Sequence, residues 1–339
     1  MFFNVENIPD VMYAVVVTDV GGEHDVQLQI VPVPQPGPGE VLVRMAYAPI
    51  HPADLVSLRG RYTPGIQPPF TPGVEGSGTV VRCGHGVVTH ALQGRRVCVM
   101  GLLPRGVWAQ YAVVPVSRCI PLLPRVSLQN GALLAVNPLT AIGLLENEIR
   151  QRQSVLVTVA SGALGRQILS WGRANGLHMI GCVRRPELQD ELKRAGFFDV
   201  LDRSSPDFGQ QLRIACRRYN VRFALDATAG VELNMLFANL EEPGHIVVYG
   251  QLSRTPAVLS GSALIFRDIS ITGFWLQRWW AQKTSLERVR LAMTVQLKSQ
   301  LFTTSVRDIL PLNRLSEALV AARQNRSLGK ILLHFDAIE

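Results

Sequence analysis

SVLVTVASGALGRQILSWGRANG, residues 154–176, decides the architecture of the central part of the chain. Ser154 to Ala160 is a continuous, β-branched apolar run, Ser161 to Gly165 is a turn of small residues, and a helix is expected over roughly 164–175. Strand, turn and helix start together make an anion site. The first N–H groups of a helix have no intrahelical partner and carry partial positive charge. Gly162 is expected to allow the tight turn and Gly165 the close approach of helix to strand. Ser161, Gly162, Ala163, Leu164 and Gly165 are therefore the candidate phosphate loop. The full GxGxxG spacing is absent, because Ala160 and Ser161 precede Gly162, so the reading rests on the placement of the turn between a strand and a helix.

Nineteen residues after Gly165, a second apolar run, LHMIGCV, stops at Arg184 and Arg185. In a dinucleotide-binding unit this strand end meets the adenosine ribose, and an acidic residue there would accept bonds from both ribose hydroxyls. Here the position carries paired guanidinium groups, which suit a phosphate dianion. The sequence thus favours NADPH over NADH, with Arg184 the expected contact and Arg185 solvated. Beyond it, strands and helices alternate: DVLDR, a helix over 206–218, VRFALDATA, a helix over 231–240, then HIVVYGQ and ISITGFW. A helix over 186–195 precedes DVLDR. Six apolar strands alternating with helices indicate a doubly wound parallel sheet. DATAG (226–230) and YGQL (249–252) end the fourth and fifth strands, and ligands of such sheets lie beyond the carboxyl ends of the strands, which makes Tyr249, Gly250 and Gln251 candidate neighbours of pyrophosphate or nicotinamide.

Residues 12–120 have a different texture. MYAVVV, VQLQIVPVP, EVLVRMAYAPI, GSGTVVRCG, RRVCVM and WAQYAVVPV are short β-rich runs punctuated by Gly and Pro, as in a barrel-like or sandwich-like antiparallel unit. Residues 127–150 look helical with Pro138 interrupting, residues 284–299 look helical again, and KILLHF is expected to return as a strand to the first domain. The expected division is 1–125 with 274–339 as one domain and 126–273 as the other.

The 339 residues are 47% hydrophobic and 18% charged, which excludes a disordered chain. There is no run of 18 apolar residues and no basic-then-apolar leader, so neither a membrane span nor a signal peptide is expected. Five scattered cysteines without a CxxC pair read as buried thiols in a reducing cytoplasm. The net charge of +8 is carried by arginines spread along the chain rather than by a basic run with aromatics, which disfavours a nucleic-acid partner.

VPVPQPGPGEVLVRMAYAPIHPADLVSLRGRY (31–62) and TPGVEGSGTVVRCG (71–84) resemble the N-terminal segments of the medium-chain dehydrogenase/reductase superfamily. The resemblance covers nearly the whole chain and implies a β-rich GroES-like catalytic domain beside a Rossmann domain. Where the zinc-dependent members have a GHE motif, this chain has Val74 before Glu75, and the four-cysteine lobe is missing, so no metal is expected. HPADLVSLRGRY, AVNPLTA, VVYGQL, LIFRDISITGFWLQRWW and LGKILL resemble the 2-enoyl thioester reductases of the zinc-free branch, close to the quinone oxidoreductases. Two phrases depart from that family: His51 replaces the usual Asn of an NPSD motif, and ASGALG replaces an Asn-Ser-Gly turn.

By position, the resemblance implies that Tyr62 donates the proton and that Asn137 orients a water or the nicotinamide ribose. It places the phosphate loop on Ser161 to Leu164 and the 2′-phosphate on Arg184 and Arg185. Tyr249, Gly250, Gln251 and Leu252, with Phe274, Trp275, Leu276 and Gln277, fall on nicotinamide-side segments, and Lys330 on a C-terminal cofactor lysine. The implied reaction is NADPH-dependent reduction of an activated C=C bond in an enoyl thioester carried on CoA or acyl-carrier protein. Quinones and 2-alkenals are the alternative substrates and an RNA-binding relative the alternative class. Phe274 and Trp275 could line an acyl pocket, and the resemblance implies a homodimer paired along the last strand of the sheet.

Overall fold

The computed structural model describes residues 8–19, 25–60, 66–146, 153–253, 255–324 and 329–335. Along them run β1 (Val11–Val17), β2 (Val26–Pro32), β3 (Glu40–Pro49), β4 (Glu75–Cys83), β5 (Arg96–Met100), β6 (Tyr111–Pro115) and β7 (Cys119–Pro121). There follow β8 (Ser154–Val157), β9 (His178–Val183), β10 (Asp199–Asp202), β11 (Phe223–Asp226), β12 (Gly244–Val248), β13 (Ile269–Gly273), β14 (Val306–Pro311) and β15 (Lys330–His334). The chain forms two compact units, residues 1–136 with 285–299 and 303–339, and residues 137–284 with 300–302.

The first unit is built on a seven-stranded sheet in the order β14-β15-β3-β4-β5-β7, with β6 paired to β3, and a separate β1–β2 hairpin. All its pairings are antiparallel except β14 with β15. β15 pairs with β3 from Leu332 opposite Pro49 to His334 opposite Tyr47, so a strand from the end of the chain closes on the β-rich N-terminal region. Alternation of side chains across the sheet sends Val41, Val43, Met45, Val97, Val99, Ile331 and Leu333 into one core with Trp108.

The second unit is a six-stranded parallel sheet in the order β10-β9-β8-β11-β12-β13. In sequence order that is 3-2-1-4-5-6, the doubly wound arrangement expected from the alternating runs. Leu156, Ile180, Ala224 and Ile246 on the inner strands are fully buried, as strands covered on both faces must be. Full burial of each larger aliphatic side chain contributes about 1.5–3 kcal/mol. Helices Ala163–Ala174, Gln189–Ala195, Phe208–Tyr219 and Val231–Asn239 connect the strands.

Two expectations are corrected. Pro138 does not interrupt a helix: it stands in the first turn of Val136–Leu145, where backbone N–H groups have no helical acceptor to lose. The unit boundaries lie after 136 and 284 rather than after 125 and 273. Residues 126–136 stay with the first unit because Arg96 binds the carbonyls of Pro124 and Val126, and Ser77 that of Leu128. Residues 274–284 stay with the second because Trp279 and Lys283 on helix Leu276–Gln282 both bind the Glu146 carboxylate.

Candidate active site

In the second unit, five segments follow the carboxyl ends of parallel strands and so share one edge of the sheet. The turn after β8 is tight because Val159 takes a left-handed φ of 54°, an uncommon conformation for a β-branched residue. Its carbonyl accepts from Gly162 N–H at 3.1 Å. Gly162 itself is extended (φ −71°, ψ 163°), so the turn is made by Val159 and not, as expected from the sequence, by the glycine. Gly165 is required for another reason: a Cβ there would lie 2.6 Å from the Ala160 carbonyl oxygen, a backbone atom that cannot step aside. No side chain caps the helix Ala163–Ala174, which leaves the N–H groups that follow Gly162 for a ligand. Arg166 braces the turn, donating from Nε to the Ser161 carbonyl and pairing with Glu191 at 2.7 Å.

At the end of β9, Arg184 is exposed, whereas Arg185 is partly buried with Nε 3.9 Å from Glu187. Arg185, expected to be solvated, is thus the partly buried one beside a carboxylate, and Arg184 is the guanidinium left open to solvent.

The end of β11 is organised by Asp226, a fully buried carboxylate that sequence reading passed over. Its Oδ1 accepts from Thr158 Oγ1 (3.0 Å), Thr228 N (3.1 Å) and Thr228 Oγ1 (2.8 Å), and its Oδ2 from Ala229 N (2.7 Å). Thr158 Oγ1 in turn accepts from Ala227 N at 2.8 Å. The loop after β12 is laced to the same segment: Tyr249, Leu252 and Ser253 donate to the carbonyls of Asp226, Ala227 and Thr228. Gly250 has no space for a side chain, since its Cβ would stand 2.8 Å from the Ala227 oxygen. Burial, with Asp226 adding to it, pushes the Tyr249 phenol well up, so it stays protonated. Gln251 and Leu252 are exposed. After β13, Phe274 packs against Trp279 with centroids 6.1 Å apart, Leu276 and Gln277 are buried, and Trp275 is exposed with Arg278 over its ring.

Asn137 is buried in the first turn of Val136–Leu145. Tyr62 lies outside the described residues. In the first unit, Lys330 is buried, with Nζ 3.0 Å from Nδ1 of His51. His51 Nε2 is 2.7 Å from Glu75 Oε2, and Glu75 Oε1 accepts from the N–H groups of Ala135 (2.6 Å) and Val136 (2.8 Å). Asp54 accepts from His51 N at 2.7 Å and Val74 N at 3.0 Å. Burial, then the charge of Lys330, hold the His51 imidazole below its usual range against the pull of Glu75. Burial raises the Asp54 carboxyl to about 7, opposed by its backbone donors and by Lys330. Sequence reading noticed His51 only as the residue standing in place of an NPSD asparagine; no local pattern links it to a lysine 279 positions away.

The chain is similar to known proteins along most of its length. A family described as "Alcohol dehydrogenase GroES-like domain" matches residues 37–125, and one described as "Zinc-binding dehydrogenase" matches residues 163–290. The mitochondrial enoyl-[acyl-carrier-protein] reductase of Dictyostelium discoideum is 30% identical over 74% of this chain and 73% of its own length. A structure from Mesorhizobium loti with a provisional NADPH:quinone reductase assignment is 30% identical, covering 97% of this chain and 99% of its own with a TM-score of 0.89. A mycobacterial protein solved in complex with NADPH is 25% identical, covering 95% of this chain and 99% of its own with a TM-score of 0.81.

Zinc does not fit the residues present. Both ring nitrogens of His51 are engaged, one of them by an ammonium, Val74 offers no donor, and among the described residues no three His, Cys, Asp or Glu side chains are grouped to hold a metal. The chain belongs to the medium-chain dehydrogenase/reductase superfamily, alongside the enoyl reductases and quinone reductases that it resembles.

Proposed function

We propose that the protein is an NADPH-dependent, metal-independent reductase of the C=C bond of a trans-2-enoyl thioester. The observation that carries the reading is the pairing, on one sheet edge, of an uncapped helix start after Gly162 with an exposed guanidinium at Arg184. The first suits a pyrophosphate and the second a 2′-phosphate. The NADPH named for two of the structural relatives supports the same cofactor. When bound, NADPH supplies a hydride to the β-carbon of the substrate. Tyr62 then gives its phenolic proton to the α-carbon, and Asn137, buried in the first turn of its helix, orients a water or the nicotinamide ribose. Lys330, the C-terminal cofactor lysine of the resemblance, is buried in the first unit with its ammonium on His51. The enoyl reductase similarity supports a thioester, and NADPH oxidation with crotonyl-CoA and an enoyl-acyl-carrier protein beside 1,4-quinones and 2-alkenals tests it. The largest kcat/KM is expected for a thioester; a quinone that outperforms both thioesters overturns the substrate assignment.

Arg184→Ala is expected to raise the KM for NADPH about tenfold to a hundredfold, the weight of charge-assisted bonds to phosphate, and to leave that for NADH unmoved. Arg185→Ala should change it less, because Glu187 already attends that side chain. Equal effects of the two substitutions in initial-rate measurements would reject the distinction.

We also propose a homodimer joined along β13, the edge of the six-stranded sheet. An edge strand invites pairing, and Val258, Ile265 and Phe266, which precede β13 in the chain, are 76%, 76% and 82% exposed. Sedimentation should give twice the chain mass for the native protein and the single-chain mass for Ile265→Glu/Phe266→Glu. An unchanged dimer in the variant would exclude this surface. The five cysteines are free thiols, which supports a reducing, cytoplasmic setting.

A further inference from the structure

Buried ionisable groups need a reason to be present. Three apolar side chains of similar volume would pack at least as stably as a buried Lys–His–Glu chain, because desolvation offsets most of the attraction. The first unit nevertheless buries Lys330, His51 and Glu75 in line, with 3.0 Å from Lys330 Nζ to His51 Nδ1 and 2.7 Å from His51 Nε2 to Glu75 Oε2. An ammonium can only donate, so Nδ1 must accept, and the one ring hydrogen of a neutral imidazole is left on Nε2 to be given to Glu75. Glu75 is thereby turned so that its other oxygen receives the N–H groups of Ala135 and Val136. Those are the residues that lead into Asn137, and a carboxylate is favoured at a helix start.

We propose that Lys330, His51 and Glu75 form a positioning relay in which the lysine fixes the histidine tautomer, the histidine fixes the carboxylate, and the carboxylate sets the helix start that carries Asn137. Charge balances within the relay: one cation, one anion and a neutral ring between them. Asp54 anchors the backbone of His51 and of Val74, the residue before Glu75, so both ends of the His51–Glu75 bond are held by the same carboxyl group. The other titratable group facing Glu75 is Cys98 on β5, whose thiol is held neutral by burial and by that carboxylate. Where the resemblance implies an asparagine this chain has His51, and an asparagine side chain can likewise accept from a lysine and donate to a carboxylate.

The relay rests on the enoyl reductase reading only for its effect on turnover, so the test has two arms. In the first, 15N-edited spectra of the full-length protein, with His51 assigned through His51→Asn, should show a neutral ring carrying hydrogen on Nε2 at pH 7. In Lys330→Met the neighbouring cation is gone while Glu75 remains, and the titration midpoint of His51 should rise by about one unit or more. An imidazolium, or hydrogen on Nδ1, in the native protein would overturn the relay, as would an unmoved midpoint in the variant. In the second arm, His51→Leu should lower kcat about tenfold with the NADPH KM changed less than about twofold, and His51→Asn should restore most of the loss. If asparagine is no better than leucine, the ring acts by packing alone and the relay fails. Native protein that reduces no enoyl thioester would reject the proposed function, while the spectra would still decide the relay.

Discussion

Tyr62→Phe is expected to lower kcat for an enoyl thioester by about 10² to 10⁴ while leaving the NADPH dissociation constant unchanged, since a positioned general acid contributes that much and the phenol ring itself is retained. A phenol with a pKa of about 10 is fully protonated at neutral pH and can deliver its hydrogen without prior titration. Negative charge that builds on the thioester oxygen collapses toward the α-carbon, and the proton must arrive there. With the hydroxyl removed, water is the remaining source, and water has no fixed face of approach. Turnover in D2O should therefore place deuterium on one face of the α-carbon in the native enzyme and on both faces in the variant. Near-native turnover, or retained facial selectivity, would remove Tyr62 from the role that resemblance assigns to it.

The sheet of the second unit was legible because its strands are continuous apolar runs and its connections are helices, a pattern that admits few arrangements. The same logic located Arg184: a charged pair at the end of an apolar run has to leave the sheet. Pairwise geometry over long separations was not legible. Lys330 resembles a cofactor lysine by its GK phrase, yet where it lies is set by strand β15 pairing with β3, which brings it to His51. Nor did composition disclose the left-handed Val159. Glycines invite the assignment of a tight turn, but here the surrounding bonds from Gly162 to Val159 and from Ala160 to Cys182 over-determine a residue that would not choose that conformation alone. Pro138 misled for a related reason: proline breaks a helix interior and suits its first turn, and only the observed helix start at Val136 separates the two cases.

Asp226 carries the other large expected effect. DATAG reads from sequence as a strand end with small residues, and nothing in it reveals that the aspartate is fully buried with four donors converging on it. Replacement by alanine removes the carboxylate's own desolvation penalty, which favours the variant. Against that, the hydroxyls of Thr158 and Thr228 and the N–H groups of Thr228 and Ala229 lose this acceptor in a largely buried segment, Thr158 keeping only a longer bond of 3.4 Å to the Leu225 carbonyl. An unpaired buried donor costs about 1–3 kcal/mol, so partial relaxation of the loop still leaves a net loss of about 3–5 kcal/mol for Asp226→Ala. Asp226→Asn should fall between, because its amide keeps one acceptor but turns a second donor toward a donor. Since Tyr249, Leu252 and Ser253 hang on the backbone of this same segment, the loss should spread to the neighbouring loop and weaken NADPH binding as well as folding. Urea unfolding and NADPH fluorescence titration measure the two consequences separately. A destabilisation below about 1 kcal/mol would mean that the four bonds barely offset the burial of the charge, and the strand ends would then owe their order to the sheet rather than to Asp226.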